Sequence, residues 1–271
     1  MTVESSGDLD QESALARFGR IGIFTVEVDR AVLDGRALAG VHSLKDMTTT
    51  LQEGIVLAAV LPRGPVEDVL VSPAGHTLES LPQGARVATG SLRRRALLLA
   101  ARPDLEVVEI RGNVDTRLAK LERGEADAIV LARAGLVRLG LDADNPHSLL
   151  ARPEFLSAVG QGIVGITCRA EDDRTREQLA AIRDEEAWIA ALAERRLLRD
   201  LQGGCNAPIA AHCWREGDDQ LLAARVLSVD GSRTVEGQCE VDEADPESSA
   251  MMLAAQLLDA GAGALVEEAR S

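Results

Sequence analysis

The sequence is poor in the residues that most often announce a chemistry. Its 271 residues include four cysteines (Cys168, Cys205, Cys213, Cys239) and four histidines (His42, His76, His147, His212). No two cysteines form a CxxC step, and no histidine has a cysteine or carboxylate partner at ligand spacing. A metal site is therefore not expected, and the histidines read as structural. Disulfides are not expected in a reducing compartment, which leaves each thiol to be judged singly. GxGxxG after a strand, GxxxxGK[ST] and GxSxG are all missing, so neither a nucleotide cofactor nor a serine nucleophile elbow is implied. No apolar run reaches the roughly 18 residues that span a bilayer. The opening MTVESSGDLDQES lacks the basic and apolar blocks of an export signal. The expectation is a cytoplasmic protein with no membrane partner. A hydrophobic share of 46% and a mean hydropathy near zero fit a soluble globular chain with two or three cores.

What is present is charge, unevenly placed. The formal net charge of −15 opposes a nucleic-acid partner, because a phosphate polymer meets repulsion over most of the surface. Yet arginines cluster in SLRRR (91–95) and again in RGNVDTR (111–117). Solvated helix faces paired with nearby acids are the plain explanation of either cluster alone. Their settings favour a small anionic ligand. ARVATGSLRRRALLLAARPDL reads as a strand, a turn at Thr89 and Gly90, and a helix capped by Ser91 with Arg93, Arg94 and Arg95 in its first turn. Cations there oppose the helix dipole, which makes more sense if an anion binds among the free amides. VVEIRGNVDTRLAKLERG repeats the design, with Asp115 or Asn113 as cap, Arg111 before the helix and Arg117 inside it.

VLDGRALAGVHSL (32–44) and KLERGEADAIVLARAGL (120–136) both run from helix end through glycine to an apolar strand, a weak echo common in α/β folds where parallel strands alternate with helices. In open sheets ligands sit beyond the carboxyl ends of strands. VHSLKD (41–46) occupies such an end and brings Lys45 and Asp46 to the mouth of a cleft, although an exposed loop is the commoner fate of such a pair. After about residue 184 the texture changes to a small α+β domain. DEEAWIAALAERRLLRDLQ is a helix ended by Gly203 and Gly204, the next segment alternates as strands around two turns, and PESSAMMLAAQLLDAGAGALVEEAR closes as an amphipathic helix. Cys205 lies on the turn between helix and strand, where a thiol can reach outward. Cys168, Cys213 and Cys239 sit in strand-like runs as inert core or edge residues.

Taken in order, VHSLKD, GSLRR, RGNVDTRL, AGLVRLG, AVGQG, and ERRLL followed by GGCNAPIAA resemble the signatures of the porphobilinogen deaminase (hydroxymethylbilane synthase) family, collinear from about Gly7 to the C-terminus. The resemblance implies an α/β fold of two periplasmic-binding-protein-like α/β domains around a cleft, with a small α+β C-terminal domain. It places domain 1 at 1–61 and 163–180, domain 2 at 66–156 and the cofactor-carrying domain at 184–271. It implies a transferase of tetrapyrrole biosynthesis that joins four porphobilinogen molecules into hydroxymethylbilane with release of ammonia. The expected protein is a monomer whose dipyrromethane cofactor is held by a thioether to Cys205. By the same resemblance Asp46 is the catalytic carboxylate, stabilising positive charge on the pyrrole and assisting proton movement. Ser43, Lys45, Thr89, Ser91, Arg93, Arg94, Arg111, Gly112 and Arg117 match cofactor-binding positions, and Arg138 and Gln161 match substrate-binding ones. Acetate and propionate side chains accumulate negative charge as the product grows, and guanidinium grips carboxylates through paired hydrogen bonds.

Departures from the family pattern accompany these matches. The chain begins near the family's SGD turn, without the strand and helix that carry GTRxSxLAxxQ. The expectation is a start site upstream of Met1. GRIGIF replaces the flexible-loop GGKGLF, leaving Ile21 and Val26 where lysines are expected, with Arg20 one position away. KDMTTT replaces KDVPT, Gly90 replaces a serine and Ser157 a proline. They open a second reading, a catalytically impaired paralogue that binds linear pyrroles or polycarboxylates. Retention of Cys205, Asp46 and the arginines favours the enzyme.

Overall fold

The computed structural model describes residues 25–203 and 207–270. In chain order the elements begin with α1 (Val26–Leu33), β1 (Ala39–Ser43), a 3-10 turn (Leu44–Asp46), β2 (Ile55–Val60) and β3 (Asp68–Val71). There follow β4 (Arg86–Ala88), α2 (Leu92–Ala101), β5 (Glu106–Val108), α3 (Val114–Glu122), β6 (Ala128–Ala132), α4 (Arg133–Leu139) and β7 (His147–Leu150). The chain then forms β8 (Val164–Arg169), α5 (Asp173–Ala180) and α6 (Glu185–Asp200). It closes with β9 (Ile209–Glu216), β10 (Asp219–Leu227), β11 (Thr234–Glu240), α7 (Pro246–Asp259) and α8 (Ala262–Glu268).

These strands make three sheets. In the first, β8 lies between β1 and β2 and pairs antiparallel with both, so the parallel arrangement expected from the sequence echo does not hold among its described strands. The cause is the chain path, because β8 arrives from far along the sequence and inserts between two earlier strands. The second sheet has the order β5-β4-β6-β3-β7, with β4 parallel to β5 and β6, and with β3 antiparallel to β6 and β7. The helix-glycine-strand echo is present in both: Gly35 follows α1 and Gly124 follows α3, each at positive φ where a side chain is disfavoured. The third sheet is the antiparallel meander β11-β10-β9.

Local sequence sets the helix starts. Ser91 accepts from the backbone N–H of Arg94, and Asn113 rather than Asp115 caps α3 by accepting from Thr116. Asp184 caps α6 in the same way. The C-terminal segment is two helices, not the single helix expected, because Gly261 at φ +99 breaks the run and the axes bend by 78°. Among the described residues no single helix is long and apolar enough to cross a membrane.

Packing joins the sheets. The third sheet buries Leu222, Ala224 and Val226 against α6 and α7, while Ala210 and Leu227 on its other face enter the core of Leu70, Leu97 and Leu98. Beneath the first sheet, Leu44, Val60 and Ile163 pack against Ala187 and Ala191 of α6. The two segments that cross between the first and second sheets are paired, Leu61 N–H to Val164 O and Gly64 N–H to Gly162 O, both at 3.0 Å. Gly162 has φ +85, and a Cβ there would lie 2.7 Å from the Gly64 carbonyl oxygen, so only glycine permits this approach.

Candidate active site

The turn after β1 is fixed from below. Leu44 is buried, and its N–H donates to the Ile163 carbonyl at 3.0 Å. Burying a leucine contributes about 1.5 to 3 kcal/mol, enough to pin a three-residue turn of which it is the one fully buried residue. Gly160, at φ +71, lies against the Leu44–Lys45 backbone. Asp46 is exposed and Lys45 half-buried. Burial draws the Lys45 ammonium below its usual value, with Arg94 and Arg93 pushing the same way and Asp46 and Asp68 opposing.

Across from the turn, Arg93 and Arg94 run inward from the first turn of α2 onto one carboxylate, Asp68 at the start of β3. Arg93 Nη2 donates to Asp68 Oδ2 at 2.7 Å, and Arg94 donates to Oδ1 through Nε at 3.0 Å and Nη2 at 2.7 Å. Gln161 Nε2 donates to the same Oδ1 at 3.0 Å and to the Val66 carbonyl at 2.8 Å. The remaining forks reach backbone, Arg93 Nη1 to Leu156 O and Arg94 Nη1 to Val130 O. Burial alone would raise the Asp68 pKa, but Arg93 and Arg94 overcome it and hold the carboxyl far below the usual range. Burial also lowers Arg93, with Asp68 opposing. Two guanidiniums on one carboxylate leave one net positive charge.

The second arginine cluster adds Arg117. Its Nε donates to the Gly112 carbonyl at 2.8 Å. Burial lowers its pKa, Arg94 lowers it further and Asp46 opposes, so both residues stand within electrostatic range of Arg117. Gly112 sits at φ +117, where a Cβ would meet Thr116 at 2.6 Å. Arg111 is paired with Glu109 at the rim. Thr89 is buried and its hydroxyl accepts from the N–H of the capping Ser91 at 3.2 Å. Arg138 is exposed and donates to the Gly162 carbonyl at 2.7 Å, touching the crossing segment instead of the arginine pair. Ser43 ends β1, exposed.

The structure thus links Lys45, Asp46, Arg93, Arg94, Arg117 and Gln161 by hydrogen bonds or by charge, and pairs Arg111 with Glu109 and Arg138 with the Gly162 carbonyl instead. Cys205, Arg20 and Ile21 lie outside the described residues, and Val26 opens α1, exposed. Of the other thiols, Cys168 and Cys213 are buried and Cys239 half-buried, with the Cys213 thiol pushed up to about 12 by burial and then by Glu194. Two acids escaped the sequence reading. Asp68 is one. Glu194, fully buried on α6, is the other: it accepts from Arg63 Nη1 at 2.6 Å and from the N–H groups of Gly160 and Cys213 at 2.7 Å each. Glu194 interrupts an apolar helical stripe and Asp68 opens an apolar strand. The first position signals a buried acid that needs cationic partners; the second does not stand out from the polar edge of a strand.

Such a site can do two things. A donor-rich, cationic wall can hold several carboxylates, and an exposed carboxylate beside it can stabilise a cation or relay a proton. Arg93 Nε and Gln161 Oε1 are buried without a hydrogen-bond partner, so the polar capacity of the site is not exhausted by the protein itself.

Residues 1–177 match the family model described as porphobilinogen deaminase, dipyromethane cofactor binding domain, and residues 188–259 match that of the porphobilinogen deaminase C-terminal domain. A curated porphobilinogen deaminase of Moorella thermoacetica is 47% identical over 275 residues, covering 100% of this chain and 86% of that protein. That of Rubrobacter xylanophilus is 46% identical over 264 residues, 97% of this chain and 85% of that one. Likeness to solved structures is weak: a periplasmic arginine-binding protein of Salmonella typhimurium is 16% identical over 59% of this chain and 70% of its own, with a TM-score of 0.37.

Proposed function

The chain belongs to the porphobilinogen deaminase family, and from that premise we propose how its own residues carry the family's reaction. The protein is a hydroxymethylbilane synthase, a transferase of tetrapyrrole biosynthesis that condenses four porphobilinogen units into hydroxymethylbilane with release of ammonia. It uses a dipyrromethane cofactor. Identity of 43 to 47% over nearly the whole chain speaks for this reading over that of an impaired binding paralogue.

The cofactor, when bound, supplies the pyrrole terminus onto which substrate is added. The residues present fit such a group: its carboxylates need cationic donors, and Lys45, Arg94 and Arg117 offer them near the exposed Asp46. In our reading Cys205 tethers it, Ser43, Thr89, Ser91 and Gly112 shape its bed, and Arg93, Arg94, Arg111 and Arg117 hold its acetate and propionate groups. Arg138 and Gln161 serve the incoming substrate. As the aminomethyl group of porphobilinogen leaves, positive charge develops on the substrate pyrrole, and Asp46 stabilises it and then takes the proton lost on condensation. Lys45, next in the turn, stays near enough to pair with substrate carboxylates. The observation that carries this assignment is that Arg93 and Arg94 converge on buried Asp68 with Gln161, while Lys45 and Arg117, from two other segments, stand within range of the charges of both Arg94 and Asp46.

We further read the chain as three units, 1–61 with 163–180, 66–156, and 184–271, and as a cytoplasmic monomer without nucleic-acid or membrane partners. The net charge of −15 speaks against a nucleic-acid partner, and the matches to two consecutive family models support a boundary between the first two units and the third. Intact mass spectrometry tests the tether. The purified chain, or the chain incubated with preformed hydroxymethylbilane, should carry a two-pyrrole adduct that Cys205→Ser abolishes. Asp46→Ala should keep adduct yet lose turnover. Unmodified wild-type protein, or product formed at the wild-type rate by Asp46→Ala, contradicts the assignment.

A further inference from the structure

Asp68 is the least accessible charged group near the site. Its carboxylate has no exposed surface and receives Arg93, Arg94 through two nitrogens, and Gln161, at 2.7 to 3.0 Å. Stability alone is a poor reason for it, because a buried ion pair is often no more stabilising than apolar residues of equal volume. Direction and charge are better reasons. Arg94 is held by Nε and Nη2 on Asp68 and by Nη1 on the Val130 carbonyl, so its plane cannot turn without breaking three hydrogen bonds. Its charge acts on Lys45 and on Arg117. The groups that act on Lys45 are Asp46 from its own turn, Arg93 and Arg94 from α2, and Asp68 from β3.

We propose that Asp68 is a positioning residue of the reaction, fixing the direction of the Arg94 guanidinium within the cluster of Lys45 and Arg117 and cancelling one of the two buried arginine charges. The inference rests on the functional reading above. Removing the negative charge leaves two cations uncompensated against Lys45, which favours loss of its proton. The alkaline limb of the pH profile then moves to lower pH, the opposite of what a purely structural lesion would leave.

The test uses full-length holoenzyme carrying Asp68→Asn or Asp68→Glu. Three readouts are taken: the two-pyrrole adduct by intact mass, kcat and KM separately, and the pH dependence of kcat. For Asp68→Asn we expect adduct to form, kcat to fall about a hundredfold from misaligned carboxylate contacts, and the alkaline limb to shift acidward by about one pH unit. Asp68→Glu keeps the charge and moves its position. Its limb should stay where the wild type's is, with kcat still reduced. An Asp68→Asn enzyme with wild-type kcat, or with lowered thermal stability and an unmoved limb, overturns the proposal. If that chain does not fold, Asp68→Glu decides: reduced kcat with thermal stability kept and an unmoved limb supports the role, and wild-type kcat, or a fall in kcat that tracks lost stability, refutes it. Wild-type protein without adduct or product sinks the functional reading instead, so the two failures are distinct.

Discussion

Replacing Glu194 by glutamine changes one atom and should cost this protein a large part of its stability. The carboxylate is fully buried and every approach to it is a donor. Oε1 accepts from Arg63 Nη1 at 2.6 Å and from Cys213 N–H at 2.7 Å. Oε2 accepts from Gly160 N–H at 2.7 Å and from Arg63 Nη2 at 3.3 Å. An amide offers one acceptor oxygen. Whichever way it turns, its NH2 faces a backbone N–H and a guanidinium proton, and Arg63 keeps a charge with no counter-ion. Breaking a buried pair in this way costs about 3 to 5 kcal/mol, against a total stability of roughly 5 to 15 kcal/mol. The midpoint of thermal unfolding should fall by roughly 10 °C. Urea denaturation followed by circular dichroism measures the loss. The cycle with Arg63→Met adds a check, because once one partner is gone the second substitution should cost much less, so the single effects should not add. A loss under about 1 kcal/mol, or simple additivity, would refute the claim that this pair locks the crossing segment to α6 and β9.

Three further outcomes follow from single sites. Burial, with Arg63 and Arg152 acting the same way, pushes the His212 pKa down to about 3 from 6.5. The native ring therefore stays neutral while the unfolded chain takes up a proton below about pH 6.5, and this group alone should cost about 2 kcal/mol of stability at pH 5. His212→Gln should shrink the difference between stabilities measured at pH 7 and pH 5, and an unchanged difference would contradict the neutral ring. Gly160→Ala places a Cβ 3.0 Å from Leu44 Cγ and 3.1 Å from Lys45 N at φ +71. It should cost about 1 to 3 kcal/mol and lower kcat by more than stability accounts for, since the displaced backbone carries Asp46; kcat equal to wild type would show the turn to be indifferent. Alkylation of the native protein at pH 8 should spare Cys213, whose thiol lies near 12, and peptide mass mapping showing rapid modification there would contradict its burial.

The local features of this molecule could be read from sequence, and the non-local ones could not. Ser91 caps α2 as expected because a cap depends on residues three apart. Between Asp115 and Asn113 the sequence offered two good caps, and only the backbone path chose Asn113. The break at Gly261 was present in the letters GAG, but an apolar pattern on both sides disguised it. The antiparallel first sheet was not legible, since β8 pairs with strands more than a hundred residues earlier. Arginines 93 and 94 were found by their clustering, while their shared partner Asp68 lies outside the cluster and looks in sequence like the polar edge of a strand. The family resemblance supplied positions for carboxylate-binding side chains. It did not say that the buried faces of two of them are already occupied.

That occupation changes how the site's charge should be counted. In an acidic chain, exposed arginines would be screened by water and by neighbouring acids. Here Asp68 draws two of them out of solvent and fixes their direction, while Arg117 and Lys45, each partly desolvated, supply cationic charge toward Asp46. The same logic recurs behind the turn. Arg63 is held by Glu194 on α6, Arg195 of α6 donates to the Thr48 carbonyl just past Asp46 at 2.7 Å, and Ala187 and Ala191 of that helix pack under Leu44. The helix that leads along the chain toward Cys205 is therefore the brace of the turn that bears the acid. Buried acids orient the arginines, α6 steadies the carboxylate, and the reacting groups are left free to meet substrate without rearranging the scaffold that holds them.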